Sequence, residues 1–178
     1  KELQAMIKQS KKIRFEGNGY GDEWVIEAEK RGLANLKDTP RALQIWHDKK
    51  VAKLFEEMGV LSSRELDARR EIEFENYVLK IQIESRLMGD LIQNNFIPAA
   101  VEYQNKLITN VQGLMNILGD KAGKAASKAQ IEIIEKISMH MNKMKSASDA
   151  MLEQRKIANK LEHAEDKALA YCDNVKSH

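Results

Sequence analysis

Cysteine is almost missing from this chain: Cys172 stands alone among 178 residues, which excludes an internal disulfide and a cysteine-built zinc site. Proline and glycine are scarce, at 2 and 9 residues, and aromatics make up 6%. That balance favours helix over a sandwich of short strands. No apolar run approaches the roughly 18 residues that span a bilayer. Nor is there an excess of one charge. Lys+Arg number 29 and Asp+Glu 27, a net charge of +2, whereas a dedicated nucleic-acid binder concentrates basic residues. Neither nucleic acid nor membrane is therefore an expected partner. What the chain does contain is 43% hydrophobic and 31% charged residues, enough for the core and solvated surface of a domain of ordinary size. Its opening, Lys1-Glu2-Leu3-Gln4-Ala5-Met6, is polar and amphipathic rather than a signal peptide, and the expected compartment is cytoplasmic. Because it begins without Met, inside what reads as a helix, the sequence is expected to be part of a longer polypeptide.

All glycines lie at or before Gly123 and both prolines at or before Pro98, so the last stretch holds no strong helix breaker. A helix is expected over about residues 2–12, then a short strand at Ile13-Arg14-Phe15 and a glycine-rich turn, Gly17-Asn18-Gly19-Tyr20-Gly21. Asp22 is placed to cap a helix running to Arg31, with Gly32 as its stop. Thr39-Pro40 reads as a cap and first-turn proline for a short helix to about Trp46. Asp48 caps another, residues 49–58, closed by Gly59. Ser62 and Glu65 form a capping-box pair. It opens a long helix whose stripe is Phe74, Val78, Ile81, Ser85, Met88, Ile92 and Phe96.

Pro98 must bend or break that rod. A second seam follows at Val101, Gln104, Ile108, Val111, Met115 and Leu118, then a loop over 119–123. A further helix from Lys124 carries Ile133, Ile137, His140 and Met144 up to a turn at Ser146-Ala147-Ser148-Asp149. The last carries Ile157, Leu161, Ala164, Ala168, Cys172 and Val175. The expected fold is all-α: residues 1–60 as short helices with a Gly-rich turn, and 61–178 as long antiparallel helices forming a bundle with a proline-associated bend. The spacing also fits a dimeric coiled coil, but short loops favour packing within the chain.

No catalytic constellation stands out among these residues. The loop at 17–21 has the glycines of a phosphate cradle, but Asp22 and Glu23 at the following helix start would repel an anion, so a plain turn is the favoured reading. His47, His140, His163 and His178 form no HExxH or Glu-x-x-His pattern. His140 reads as a partly buried bundle residue, and Cys172, on an apolar stripe, as a small buried hydrophobe. Met139, Met141, Met144 and Met151 fit gap-filling core better than an adaptable binding face. Glu71, Glu73, Glu75 and Glu84, with Arg64, Arg69, Arg70 and Lys80 nearby, read as a salt-bridged, solvated face rather than metal ligands.

The stretch Arg14-Phe15-Glu16-Gly17-Asn18-Gly19-Tyr20-Gly21-Asp22-Glu23-Trp24, continuing as Glu27-Ala28-Glu29-Lys30-Arg31-Gly32-Leu33, resembles the type III glutamine synthetases, which carry F-x-G-N-G-Y-x-x-E-W followed by E-A-E-K-R-G-L. The likeness continues at Asn35-Leu36-Lys37, Thr39-Pro40, Gly59-Val60, Glu75-Asn76-Tyr77 and Ala170-Tyr171-Cys172. It covers most of residues 1–97 specifically; the later helices resemble the family chiefly in length and pattern. The resemblance implies a parent enzyme that joins ammonia to glutamate through a γ-glutamyl phosphate, using ATP and magnesium. It places the catalytic residues in a β-rich region upstream of the matched portion. Residues 1–60 would be the tail of that catalytic region.

By the same resemblance, this chain would be the C-terminal helical part, structural in itself. It would bind no cofactor, its partners being its own catalytic domain and neighbouring subunits of a double-ring homo-oligomer. No catalytic or metal-binding residue carries over. Phe15, Gly17, Asn18, Gly19, Tyr20, Trp24, Gly32, Asn76 and Tyr77 carry over as signature positions with a packing role, and Asn18, Tyr20 and Trp24 alternatively lie near the nucleotide edge. Two departures are the missing aromatic, proline-containing tail after His178 and Gly21, where the family more often has Ser. A free-standing interaction module using the Met-rich face is the alternative to the ligase reading.

Overall fold

The computed structural model describes residues 1–178, which form nine α-helices and no strand. The all-α expectation holds. Helix α1 (Glu2–Gln9) runs into a turn of 3-10 helix at Ser10–Ile13, and Arg14 leaves it extended. The strand expected at Ile13-Arg14-Phe15 does not form, because no second strand exists to take up its backbone groups. Helix α2 (Asp22–Arg31) has Gly21 as its cap, so Asp22 joins Glu23 in the first turn instead of capping. There both carboxylates face the positive end of the helix dipole. Gly32 stops α2 with φ of 66°, the left-handed backbone that glycine adopts freely.

Asp38, not Thr39, caps α3 (Thr39–Gln44): its Oδ1 accepts the Arg41 N–H at 2.9 Å, and Pro40 sits in the first turn. Aspartate is the stronger capping residue, and the threonine one position later becomes helical itself. Helix α4 (Lys49–Glu57) is capped by Asp48 as expected, through the Lys50 N–H at 2.7 Å. The Ser62–Glu65 capping box also forms, and it starts α5 (Ser63–Leu91).

Pro98 neither breaks the rod nor ends it. Lacking an N–H for the Asn94 carbonyl and crowding it with its ring, the proline is preceded by a π turn at Ile92–Phe96. Here the Ile97 N–H bonds the Ile92 carbonyl five residues back. The wider turn absorbs the misfit, and α6 (Ile97–Leu118) continues the helical path. The segment 119–123 is not a loop either. Gly119, at φ 79°, reverses the chain and α7 (Asp120–Ala126) begins at once. It lies so close on α6 that a Cβ at Gly123 would sit 2.5 Å from the Met115 Cα.

Helix α8 (Lys128–Ala158) starts later than expected and passes straight through 146–149. Ser148 is buried on its inner face, and a Lys145–Asp149 pair one turn apart supports the outer one. Packing overrides the turn preference of the serines. The chain turns only after Ala158, so Ile157 and Leu161, 50% and 37% exposed, stay out of the last helix. That helix is α9 (Ala164–Ala170), prolonged by a second π turn at Tyr171–Val175.

Three contacts set the antiparallel register of α8. Gln104 Nε2 donates to Ser138 Oγ at 2.6 Å and the Ile134 carbonyl at 3.0 Å, Gly89 lies against Leu152, and Gln82 Nε2 donates to Asn159 Oδ1 at 2.9 Å. The core gathers at one end, where Leu43, Phe74, Val78, Ile81, Met151, Ala158, Ala168, Tyr171 and Val175 form one cluster joining α3, α5, α8 and α9. In the expected stripe of α5, Phe74, Val78, Ile81, Ser85 and Ile92 are buried, while Met88 and Phe96 are about half exposed (48% and 47%). Along α6 only Val111 is buried.

The close α6–α7 approach gives a direct test. Gly123→Ala is expected to cost about 1–3 kcal/mol by overpacking and to lower the melting temperature by roughly 3–10 °C. Gly113→Ala, where nothing lies within 4 Å, is the control and should not destabilise.

Candidate functional site

Two arrangements stand apart from ordinary core. The first is the glycine-rich block. Phe15 and Trp24 pack ring on ring with centroids 5.0 Å apart, both half-buried. Gly17 lies beneath the Phe15 ring, where an added Cβ would come within 2.6 Å of it. Asn18 Oδ1 accepts the Tyr20 N–H at 3.0 Å, and the Asn18 carbonyl accepts the Gly21 N–H at 3.1 Å. The Arg31 guanidinium closes the block from below. It donates to the carbonyls of Lys11, Lys12 and Arg14 and is held by Glu27 at 2.6 Å.

Tyr20, by contrast, is fully exposed, and Gly19 stands in open space. Apart from the adjoining 3-10 turn, α1 and α2 make no extensive contact with the remaining helices. Leu3, Met6, Ile7 and Ile26 are 74%, 64%, 51% and 67% exposed. The block is a small, internally braced platform with apolar side chains facing outward.

The second arrangement is a polar clamp around the core cluster. Arg41 on α3 reaches Asp173 in the second π turn through two hydrogen bonds, at 2.9 and 3.1 Å, and Asp38 at 2.9 Å. The hydrogen bonds that it donates to Asp173 and then to Asp38 push the guanidinium still further above its ordinary range. For Asp38, partial burial works against the charge, but the amide and guanidinium of Arg41 outweigh it and hold the carboxyl below its ordinary value. On the other side Glu165, in the first turn of α9, accepts from Arg70 of α5 at 3.0 Å and Gln44 at 2.9 Å. Arg70 also covers the face of Phe74 at 5.9 Å. Tyr77 turns inward beside Cys172. Burial first, then the neighbouring thiol and the Asp38 and Asp173 carboxylates, raises its phenol above the usual range, and its hydroxyl makes no well-formed hydrogen bond.

The structure therefore sets Phe15 against Gly17 and against Trp24 of α2, leaves Gly19 and Tyr20 open on the turn that Asn18 braces, and puts Gly32 at the far end of α2. Asn76 and Tyr77 lie apart on α5, Asn76 exposed and Tyr77 half-buried. The clamp residues Arg41, Glu165 and Asp173 escaped sequence reasoning because their partners are distant in the chain. His140 is exposed rather than partly buried, and Cys172 only half-buried, since the α6–α8 hairpin and the chain end are each covered on one side only. Met151 is core, Met139 is 44% exposed, and Met88, Met144 and Met151 line a groove of about 340 Å³ between α5, α8 and the chain end. Glu71, Glu73, Glu75 and Glu84 are solvated but unpaired; Arg70 spends its charge on Glu165 and Asp67 instead.

No three His, Cys, Asp or Glu side chains converge on a common point, and the amides of Tyr20 and Gly21 are already bonded within their own turn. No helix is long and apolar enough to cross a membrane.

Comparison with known families covers the first arrangement. A model described as "Glutamine synthetase C-terminal domain" matches residues 1–115, a stretch that includes the whole braced block. The chain belongs to that family. Relatives of this C-terminal domain include a glutamine synthetase of Bacteroides fragilis (strain YCH46), 38% identical over 98% of this chain and 24% of its own length. A "Type-3 glutamine synthetase" of Dictyostelium discoideum is 32% identical over 81% of this chain and 20% of its own. A glutamine synthetase of Butyrivibrio fibrisolvens is 33% identical over 97% and 24%. The chain thus spans about a quarter or less of the length of the curated relatives it matches, and the type III resemblance seen in the block at residues 14–33 holds.

Two measurements probe the clamp. Asp38 has a depressed folded-state pKa, so its contribution is complete above its unfolded value near 3.8 and disappears as pH falls through the folded value. The urea midpoint of the wild type should drop more steeply below pH 4 than that of Asp38→Asn. Tyr77→Phe removes a buried hydroxyl without a good partner and is expected to leave stability unchanged or raise it by up to about 1 kcal/mol in urea denaturation.

Proposed function

We propose that this chain is the helical C-terminal scaffold of an ATP-dependent glutamate–ammonia ligase, which docks on the rest of that ligase and on neighbouring subunits. The observation that carries this reading is surface. The chain exposes 13361 Å², against about 8,800 Å² for a compact monomer of its mass. Only 19 of 178 residues are buried, so the helices offer far more face than they cover among themselves. Large apolar side chains on that excess area mark it for contact with protein. The platform formed by α1, the glycine-rich turn and α2 is the part least engaged with the bundle, which suits it to lie against the ligase portion of the parent. In this proposal ATP, magnesium and glutamate are handled by that portion, and the compartment is cytoplasmic. The residues of this chain brace and position, and they move no proton or phosphoryl group.

The 178-residue chain by itself is expected to show no γ-glutamyl transfer and to bind an apolar fluorescent dye strongly. Replacing Leu3 and Ile7 by Ser should lower the dye signal without changing the melting temperature, because neither residue touches the core cluster. Glutamine formation by the isolated chain at rates near those of a complete ligase would overturn the placement of catalysis elsewhere. A chain that binds no dye would overturn the docking faces.

A further inference from the structure

Asparagine is a chemically labile residue, and Asn18 is the one asparagine of the chain that glycine follows; every other precedes a larger residue. Asn18 and Gly19 are both exposed. Neither backbone nor space demands glycine at position 19: its φ is not positive and a Cβ would meet nothing within 4 Å. What glycine supplies there is an uncrowded main-chain nitrogen, whose N–H donates to no group of the protein. The Asn18 amide is engaged on one side only. Its Oδ1 accepts the Tyr20 N–H at 3.0 Å, while Nδ2 makes no hydrogen bond.

We propose that Asn18 is a modification site, at which the chain deamidates through a cyclic imide. The Gly19 nitrogen, giving its proton to water, attacks the Asn18 Cγ. The N–Cγ bond forms, the Cγ–Nδ2 bond breaks, and Nδ2 leaves as ammonia with a proton taken back from water. Neither nitrogen gives up a hydrogen bond to change its partner. The Tyr20 N–H already points at Oδ1, where negative charge gathers in the tetrahedral intermediate, and it stabilises that charge. Water then opens the imide, its oxygen going to one carbonyl carbon and a proton to the Gly19 nitrogen. Opening at Cγ gives aspartate. Opening at the main-chain carbonyl gives isoaspartate, whose main chain runs through Cβ and Cγ and is one carbon longer. No oxidation state changes; the sum is amide plus water to acid plus ammonia. Either product adds negative charge to a turn flanked by Glu16, Asp22 and Glu23, all exposed. Isoaspartate also shifts the register of the Asn18 bonds to the Tyr20 and Gly21 amides, so the brace of this turn is lost. The inference concerns the chemistry of the turn and does not rest on the docking reading.

Peptide mass spectrometry on the 178-residue chain, incubated for days at mildly alkaline pH beside an unincubated sample, tests it. Asn18 falls in the tryptic peptide Phe15–Lys30, which holds no other asparagine and no glutamine. That peptide should gain the mass difference between an acid and its amide before any other asparagine peptide does. It should also become a substrate for a protein isoaspartate methyltransferase. Gly19→Ala fits the open space and should leave the melting temperature unchanged, yet slow the gain at least several-fold, because the added methyl crowds the attacking nitrogen. Asn18→Gln moves the amide carbon one bond further from that nitrogen and should all but stop it. A Phe15–Lys30 peptide that keeps its mass through the incubation overturns the proposal. So does a gain that appears first at another asparagine, or one that Gly19→Ala leaves at the wild-type rate, since the imide route runs through that nitrogen.

Discussion

Asn159 Oδ1 accepts two hydrogen bonds, from the Tyr171 hydroxyl at 2.7 Å and from Gln82 Nε2 at 2.9 Å. One side-chain oxygen thereby joins α5, the end of α8 and the segment that follows α9. Tyr171 is completely buried, and its ring fills the centre of the core cluster. A buried phenol needs a partner for its hydroxyl, and only a chain that turns just after Ala158 puts Asn159 within reach. The position of that turn fixes which face of α9 meets α5, and with it the line-up of Ala168 and Val175 against Phe74 and Ile81. The two flanking clamps, Arg41 with Asp173 and Arg70 with Glu165, lie around this node and bind α3 to it.

Packing is concentrated at one end, and this has consequences for the other. Beyond the first π turn, α6 and α8 run as a hairpin with Val111 as the one buried apolar residue of α6. Close helix–helix contact there depends on the missing side chain of Gly123 and on the Gln104 amide bonding across to α8. Such a hairpin holds its shape by register more than by burial, and it leaves Tyr103 and Ile117 outside, at 52% and 82% exposure. The N-terminal platform is similar: its turn is braced from within by Arg31 and Asn18, but it contributes nothing to the core cluster. Rigid, locally satisfied elements with uncovered apolar faces are what a scaffold presents to the protein it holds.

Much of the local structure was legible in the residues. The Ser62–Glu65 box, the Asp48 cap and the Gly32 stop are decided within one turn of chain, where a short side chain either reaches an amide or does not. The block at residues 14–33 is local in the same way: Phe15 lies against Gly17 and Trp24, and Asn18 takes up the Tyr20 and Gly21 amides a few residues on. The misread elements share the opposite property. Ser146–Asp149 has the composition of a turn, yet α8 passes through it because Ser148 and Met151 pack inward on either side. Pro98 calls for a disruption, but whether that became a kink, a break or a π turn depended on α6 having α8 to lie against.

The sequence by itself determined an all-helical chain, those helix starts and stops that a local cap decides, and its kinship with the glutamine synthetase C-terminal domains, because helical periodicity, capping and a contiguous signature are all written in neighbouring residues. Only the tertiary structure decided the antiparallel register of α8, the clamps on Asp173 and Glu165 and the second, uncovered face of α5, where Ile72, Leu79, Ile83 and Leu87 stay more than half exposed. Those depend on residues far apart in the chain, and on which side of each helix is left over once the core has formed. Periodicity reveals that a helix has an apolar side; it takes the packed fold to show that α5 has two, and that one of them remains open.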